Sequence, residues 1–598
     1  MSYIQNLTKR PAAQALAGTA QPCPRKSPYP FPYVDTLYEY TKFLDPTRPI
    51  ASFPTDGYPV AKVAVIGAGA GGLVAAYELL RAGIQPVVLE ATDRIGGRTW
   101  SQYFEKQDDS TPPLWAEMGA MRVPVSQNLF WYYACQFGVQ TGTFPDPGQV
   151  LTLLYYQNQG YEWKPDPGNP NVPPPGPFTK IQSDFQSFIA PIAGEIFGPW
   201  QSGDTKKVRQ IWQKYINKFR EVSVYDMVRA GIPIWGDAEL NAFSALGVGS
   251  GGFGTLYRVG SLELLRNVIN AWEADQQLIV GWQDQNGTFL PDGINGLTKS
   301  FYRQPVTWPD GQTVSLESLN AVRFHSRVTR IANGSTPQQK TVYWMDKATG
   351  EQCMDTFAAV VVAVSTRSME IDIGLSLPAG DDVNLGDADL KDAMRNLFHT
   401  GSSKMLIRTG TKFWLDQDGN QRPDIPQTIQ TDELPRGVYC LNYPHTQQGV
   451  VIVSYTWGDD STKLASVEPV RRFARFKEVL ARICPPFADN LIPANGESDI
   501  LNVDWESAEH YYGAFKLQLP GQDHLVQDAY YQYLSVLKPE SDPGVYLVGD
   551  SVSWSGGWVE GAQQTGVNAA CAVARRLGGS LAKGSPLIQK PKLYTYTL

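Results

Sequence analysis

Residues 63 to 90 read V-A-V-I-G-A-G-A-G-G-L-V-A-A-Y-E-L-L-R-A-G-I-Q-P-V-V-L-E, an order of parts that leaves few folds open. Val63 to Ile66 make a short apolar run of the kind buried on both faces of a parallel sheet. Gly67, Gly69 and Gly72 follow at G-x-G-x-x-G spacing. The first allows a tight turn, the second offers bare backbone to a pyrophosphate, and the third lets helix pack closely on strand. Ala75 to Arg81 are strong helix formers, and Gly83 ends that helix as a left-handed residue does. Val87 to Leu89 form the next strand, which stops at Glu90, 21 residues beyond Gly69, where a carboxylate can meet the hydroxyl pair of a ribose. The whole sequence of parts predicts a Rossmann-type dinucleotide unit.

The residues after Glu90 select the dinucleotide. Ala91-Thr92-Asp93-Arg94-Ile95-Gly96-Gly97-Arg98 adds a second glycine pair and a cation where a nicotinamide enzyme usually enters another crossover helix. A second close backbone approach with an arginine suits a cofactor that runs on past its pyrophosphate, as a flavin dinucleotide does. On these residues the sequence resembles the flavin amine oxidase family; Arg122 and the glycine cluster Gly249 to Gly254 narrow that resemblance to the L-amino-acid oxidases and the tryptophan, phenylalanine and lysine 2-monooxygenases. The resemblance covers nearly the whole chain after residue 60. It implies an α/β fold, a Rossmann-type FAD-binding domain of the GR2 flavoprotein type with interleaved mixed-sheet and helical substrate domains, and FAD as the cofactor.

At 598 residues the chain has length for roughly three to four domains. Its 42% hydrophobic and 18% charged content is that of a folded protein rather than a disordered one. A net charge of −8 without a basic block argues against nucleic acid as a partner. No stretch reaches the roughly 20 apolar residues of a membrane helix. The polar start, Met1 to Gln21, does not read as a signal peptide, so a cytoplasmic location is expected. Cys23, Cys135, Cys353, Cys440, Cys484 and Cys571 show neither metal spacing nor a disulfide framework, and are expected to be small buried hydrophobes. No metal is expected.

Residues 1–60 are rich in proline and aromatics and read as an extended arm over the body, one that offers a surface for a homo-oligomer contact. The FAD-binding domain is expected in three pieces, 61–150, 320–370 and 540–585, with substrate-binding and helical domains at 151–319 and 371–539 and a tail at 586–598. Pro165 to Pro177 is a proline-rich loop. A helical pattern follows from Phe178 to about Asp275, and strand signals return at Thr341 to Trp344, Phe357 to Val364, Lys404 to Arg408 and Gly449 to Tyr455. There are no internal repeats.

Near the carboxyl end, Gly549-Asp550 closes the apolar run Val545 to Val548. Gly556-Gly557-Trp558-Val559-Glu560-Gly561-Ala562 then opens a helix that runs to about Arg575. Asp550 is placed to accept a hydrogen bond from a ribityl chain. A helix begun by glycines presents free N–H groups and a positive dipole end, suited to negative charge on the pyrimidine edge of a reduced flavin. The resemblance makes Asp550, Gly557, Trp558 and Val559 the second flavin contact, and sets Ala91, Gly97, Arg98, Met121, Arg122 and Val328 beside the cofactor.

Arg122 stands in the otherwise apolar run Met118-Gly119-Ala120-Met121-Arg122-Val123-Pro124, where an unpaired guanidinium would be costly. A bidentate clamp on a substrate α-carboxylate would account for it, and so would a structural ion pair with a protein carboxylate. Family members acting on L-amino acids have this arginine; polyamine and monoamine oxidases, whose substrates have no carboxylate, do not. By the same resemblance Tyr455 is a second carboxylate partner, and Lys404 holds a water near flavin N5, where dioxygen reacts. Trp457 and Phe515 would line the side-chain pocket with Phe253, which lies in the glycine cluster Gly249 to Gly254. Thr255-Leu256-Tyr257 brings no acid beside that cluster, favouring a bulky apolar or aromatic substrate, although Glu263 or Asp275 could reach a cationic one. His325, His399, His445, His510 and His524 form no ligand pattern and are read as non-catalytic.

These residues imply FAD-dependent oxidation of an L-α-amino acid, by hydride transfer to flavin and reoxidation by O2, to a 2-oxo acid, ammonia and H2O2. Arg122 and Tyr455 would fix the carboxylate, and the carbonyl of Trp558 would accept from the amine. Three alternatives stay open: a 2-monooxygenase giving oxidative decarboxylation to the amide, a basic amino acid as substrate, and an amine or polyamine oxidase.

Overall fold

The computed structural model describes residues 23, 34–54, 60–105, 113–166, 168–169, 171–246, 258–269, 276–284, 286–588 and 595–598. The predicted dinucleotide unit forms as strand β1 (Lys62–Ile66), helix α1 (Ala70–Arg81) and strand β2 (Gln85–Leu89). Three distant segments complete the sheet: β3 (Val322–Arg323), β4 (Val360–Val362) and β5 (Val545–Leu547). All neighbours are parallel, in the order β3-β2-β1-β4-β5. The order reverses direction between β1 and β4, and the carboxyl ends of the strands at such a switch point form a ligand crevice. The strands read as continuous apolar runs because helices and loops cover both faces.

The run Phe357 to Val364 does not form one strand. Gln352–Phe357 pairs antiparallel with Lys340–Asp346 in a three-stranded sheet, and the chain then turns at Ala358 so that Val360–Val362 enters the parallel sheet. Apolar composition marks burial but not which sheet does the burying.

A seven-stranded mixed sheet lies against the crevice. Its order is Ile500–Asp504, Ser402–Thr409, Gly449–Trp457, Gly437–Leu441, Thr428–Thr431, Thr152–Tyr156 and Gln159–Trp163, with one parallel pair. Helices Pro177–Gln201, Thr205–Phe219, Val224–Gly231, Asp237–Leu246 and Ser261–Ile269 form the inserted helical part. In the first of them Phe178, Ile181, Phe185, Ile189, Ile192 and Ile196 are buried at helical spacing, the stripe an amphipathic helix turns to a core.

The segment 34–54 is part of the body. Val34, Leu37, Tyr40, Phe43 and Leu44 are buried, and Ala51–Ser52 pairs with Ser580–Leu581. Asp35 accepts from Trp212 Nε1 at 2.7 Å and from buried Arg266 Nε at 2.6 Å. Arg266 also pairs with Asp523 and Glu263, so the interior charge is compensated on several sides. The cysteine expectation needs one correction: Cys23 and Cys135 are joined as a disulfide across a separation of 112 residues, which spacing alone does not reveal. Cys440, Cys484 and Cys571 are free and buried, and Cys353 is free and partly exposed.

Candidate active site

Four strand ends meet in one cavity: Gly67 after β1, Glu90 after β2, Val364 and Ser365 after β4, and Gly549 with Asp550 after β5. At its floor each glycine of the first motif has a distinct surrounding. A Cβ on Gly72 would lie 2.0 Å from the Gly67 carbonyl oxygen, and one on Gly67 would lie 2.6 Å from that of Ala363. On Gly69 it would meet nothing within 4 Å and would project into open space. Helix α1 starts beside it without a side-chain cap, leaving backbone N–H groups for an anion. The second glycine pair lies alongside: Gly96 donates to the Ala68 carbonyl at 2.8 Å and bridges to Gly69, and a Cβ on Gly97 would come within 3.2 Å of the Gly69 Cα. This is a glycine-floored cradle of the kind a dinucleotide diphosphate requires.

The acid at the β2 end is fixed before any ligand arrives. Glu90 accepts from the Ala68 N–H at 2.7 Å and from the Thr92 N–H and hydroxyl at 2.9 and 2.7 Å. Asp550 is likewise held: although burial pushes its carboxyl up, the Arg98 guanidinium beside it brings it below the usual carboxylate range. Arg98 and Asp550 form an ion pair, and Arg98 donates to the Ala514 carbonyl at 2.8 Å. The two ends of the chain are thus tied at the cradle, with Arg98, Ala91, Val328 and Asp550 all on its wall.

Helix α3 (Val559–Arg576) starts at the same wall, with Trp558 as its N-cap. Gly557 adopts φ +81°, and a Cβ there would meet the Phe515 ring at 2.9 Å. Helix α3 reaches the crevice because it packs on α1 through glycines: a Cβ on Gly566 would lie 2.5 Å from the Gly71 carbonyl, and one on Gly71 would lie 2.9 Å from that of Ala562. Glu560 in its first turn serves another helix, α2 (Asn128–Gln136). Its carboxylate accepts from the Leu129 N–H at 2.9 Å and the Phe130 N–H at 2.8 Å, tying the Trp558 segment to the chain that follows Arg122. Burial, opposed in part by the α2 amides, leaves Glu560 pushed up to about 7. Glu560→Ala should cost about 2–4 kcal/mol, because two buried N–H groups lose their acceptor. A lower thermal unfolding midpoint of the holoprotein would show this; an unchanged midpoint would mean that water replaces the carboxylate.

The residues expected at the reaction centre sit above the cradle. Lys404 on Ser402–Thr409 stands directly opposite Tyr455 on Gly449–Trp457, and its ammonium lies 5.0 Å from the Tyr455 ring centre. Alternation along the strands puts Ser402, Lys404, Tyr455 and Trp457 on one face, and all four line the cavity. Lys404 is buried and donates to the Glu117 carbonyl at 3.2 Å and to the Gly119 carbonyl. Burial pushes it down to about 7; the Glu117 carboxylate acts upward and Arg122 acts further downward. Tyr455 and Trp457 meet edge to face at 5.7 Å, and Trp457 and Phe515 do so at 5.0 Å, making an aromatic wall.

Met121 and Arg122 reach the cavity from the segment after Glu117–Gly119. Gly119 is obligatory there, since a Cβ would fall 1.8 Å from the Arg98 carbonyl oxygen. Arg122 lines the cavity and also pairs with Asp146 at 3.6 Å, the ion pair that was the structural alternative for it. Glu263 does not line the cavity and faces Arg266. Phe253, its glycine cluster and Asp275 lie outside the described residues. His510 lines the cavity near Asp372, beside Arg327 and Val328. His399 is buried against Thr366 and pushed down to about 3 by burial. Sequence reasoning missed Glu117, Asp146 and Glu560; an acid in the first turn of α3 suggests only dipole compensation for its own helix.

A parallel sheet of this order, with a glycine-floored cradle closed by a helix from the far end of the chain, is the architecture of a dinucleotide-binding protein. Residues 70–574 match the model of flavin-containing amine oxidoreductases, and the chain belongs to that family, with FAD as its cofactor. It is 38% identical to a tryptophan 2-monooxygenase of Pseudomonas savastanoi, over 93% of this chain and 97% of that one. It is 37% identical to a tryptophan 2-monooxygenase of Pantoea agglomerans pv. gypsophilae, over 95% and 98%. The structure of putrescine oxidase bound to putrescine superposes with a TM-score of 0.61 at 17% identity, covering 86% of this chain and 99% of that one, a likeness of fold. Among the described residues no group of His, Cys, Asp and Glu is arranged to hold a metal, and no helix is long and apolar enough to cross a membrane.

Proposed function

We propose that the protein is an FAD-dependent L-amino-acid 2-monooxygenase acting on an aromatic side chain, tryptophan above all. The observation that carries this reading is Arg122, its side chain only 9% exposed, on the cavity wall that Lys404 and the Tyr455–Trp457–Phe515 cluster also line. Near-full-length similarity to tryptophan 2-monooxygenases supports the amide-forming branch over the simple oxidase. A basic substrate has less support, because Glu263 is committed to Arg266. An amine would bring no carboxylate for Arg122.

Bound FAD would supply the acceptor for hydride from the substrate Cα and pass the electrons to dioxygen. Glu90, Arg98, Asp550 and the Gly67–Gly72 turn would hold it. Arg122 offers a guanidinium fork and Tyr455 a phenol to the α-carboxylate, fixing the Cα–H direction, so the gain is positional. The Trp558 carbonyl would accept from a neutral amine. The Tyr455–Trp457–Phe515 wall limits water at the reacting atoms, which lets an imine persist rather than hydrolyse. The overall change balances as R–CH(NH2)–COOH + O2 giving R–CO–NH2 + CO2 + H2O.

Anaerobic flavin bleaching tests the substrate class. L-Tryptophan should bleach the bound flavin fastest, phenylalanine next, and lysine or tryptamine only slowly. Bleaching by tryptamine at the rate seen with L-tryptophan would reject the amino-acid reading.

A further inference from the structure

Arg122 is not held by the cavity alone. Its Nη1 lies 3.6 Å from Asp146 Oδ1, with both side chains only 9% exposed, and its guanidinium carbon lies 5.2 Å over the Phe144 ring. Asp146 does not line the cavity, so it stands behind the arginine. The segment carrying both partners is rigid. Phe144 is fully buried and packs on Tyr439 at 5.3 Å, the Asp146 N–H donates to the Phe144 carbonyl at 2.8 Å, and Thr428 of the seven-stranded sheet donates to the Pro145 carbonyl at 2.8 Å.

The geometry points to Asp146 as the positioning residue for substrate carboxylate capture. This rests on the reading of Arg122 as the carboxylate clamp. A guanidinium has two usable edges. Here Asp146 on a rigid loop stands beside one edge and the Phe144 ring beneath the guanidinium, so its place on the cavity wall is set before substrate arrives. The carboxylate of Asp146 also offsets the cost of holding the guanidinium in a low-dielectric site. Without Asp146 the arginine would turn to other acceptors, and the entering carboxylate would have to reorder it.

Two spectral titrations of the holoenzyme test this: 3-phenylpropanoate and its uncharged carboxamide, each read from the flavin absorbance change. Wild-type enzyme should bind the carboxylate more tightly. Asp146→Asn should weaken the carboxylate about tenfold, the scale of other outer-shell supports, and leave the carboxamide unchanged. If D146N retains no FAD, Asp146→Glu displaces the same charge by one methylene and should show the same selective loss. Carboxylate affinity that is unchanged or tighter in the variant, or an equal loss for both ligands, would overturn the role of Asp146 and leave that of Arg122 standing. Equal binding of both ligands by wild-type enzyme would remove the clamp itself, and the proposal with it.

Discussion

Arg122→Met is expected to lower kcat/KM for L-tryptophan about a thousandfold, some 4 kcal/mol, the scale of truncating one partner of a buried charge pair. Tryptamine, which has the same indole and amine but no carboxylate, should change by less than about threefold. The difference arises because the guanidinium lies on a buried wall among Met121, Val123 and Phe144, where water competes poorly for a carboxylate. Arg122→Lys should recover only part of the loss, since one ammonium cannot form two parallel hydrogen bonds. Oxygen-uptake kinetics on both substrates provide the measurement. Equal losses for tryptophan and tryptamine would make Arg122 a structural partner of Asp146 and nothing more.

Lys404→Met should slow reoxidation of the reduced enzyme by dioxygen about a hundredfold, the usual scale for removing one preorganised charge from developing negative charge. Anaerobic reduction by L-tryptophan should change only a few-fold, because Lys404 bonds to the carbonyls of Glu117 and Gly119 rather than to the carboxylate clamp. The pH dependence has a definite sign. Burial brings the ammonium down to about 7, so it is charged below that pH and neutral above it. Wild-type reoxidation should therefore fall as pH rises through about 7, and the Met variant should show no such step. Stopped-flow traces of the two half-reactions separate these effects. A comparable loss in both would place Lys404 in substrate binding.

What the sequence made legible was local or carried by a long motif. Val63 to Glu90 announces its strands, turn and helix because each glycine answers a steric demand at its own position, as the Gly67 and Gly72 contacts show. The alignment of Lys404 with Tyr455 was not readable, since apolar runs mark strands but not register, and one residue of slip between the strands would turn one of the two away from the cavity. The pairing of Arg122 with Asp146 depends on where a loop after Val139–Thr143 is anchored by Thr428, a contact far apart in sequence. Glu560 capping α2 is of the same kind: its neighbours along the chain are helical, and its partners are not its neighbours. The Cys23–Cys135 disulfide was missed because composition suggested buried thiols. Phe253, expected in the pocket by resemblance, lies outside the described residues.

One measurement bears most directly on the central claim. The purified holoenzyme would be turned over with L-tryptophan in air, and the carbon products, CO2 and H2O2 quantified together. The account predicts the one-carbon-shorter amide and CO2 in equal amounts, with little peroxide. Stoichiometric 2-oxo acid, ammonia and peroxide, with no CO2, would contradict it and make the protein an L-amino-acid oxidase built on the same site.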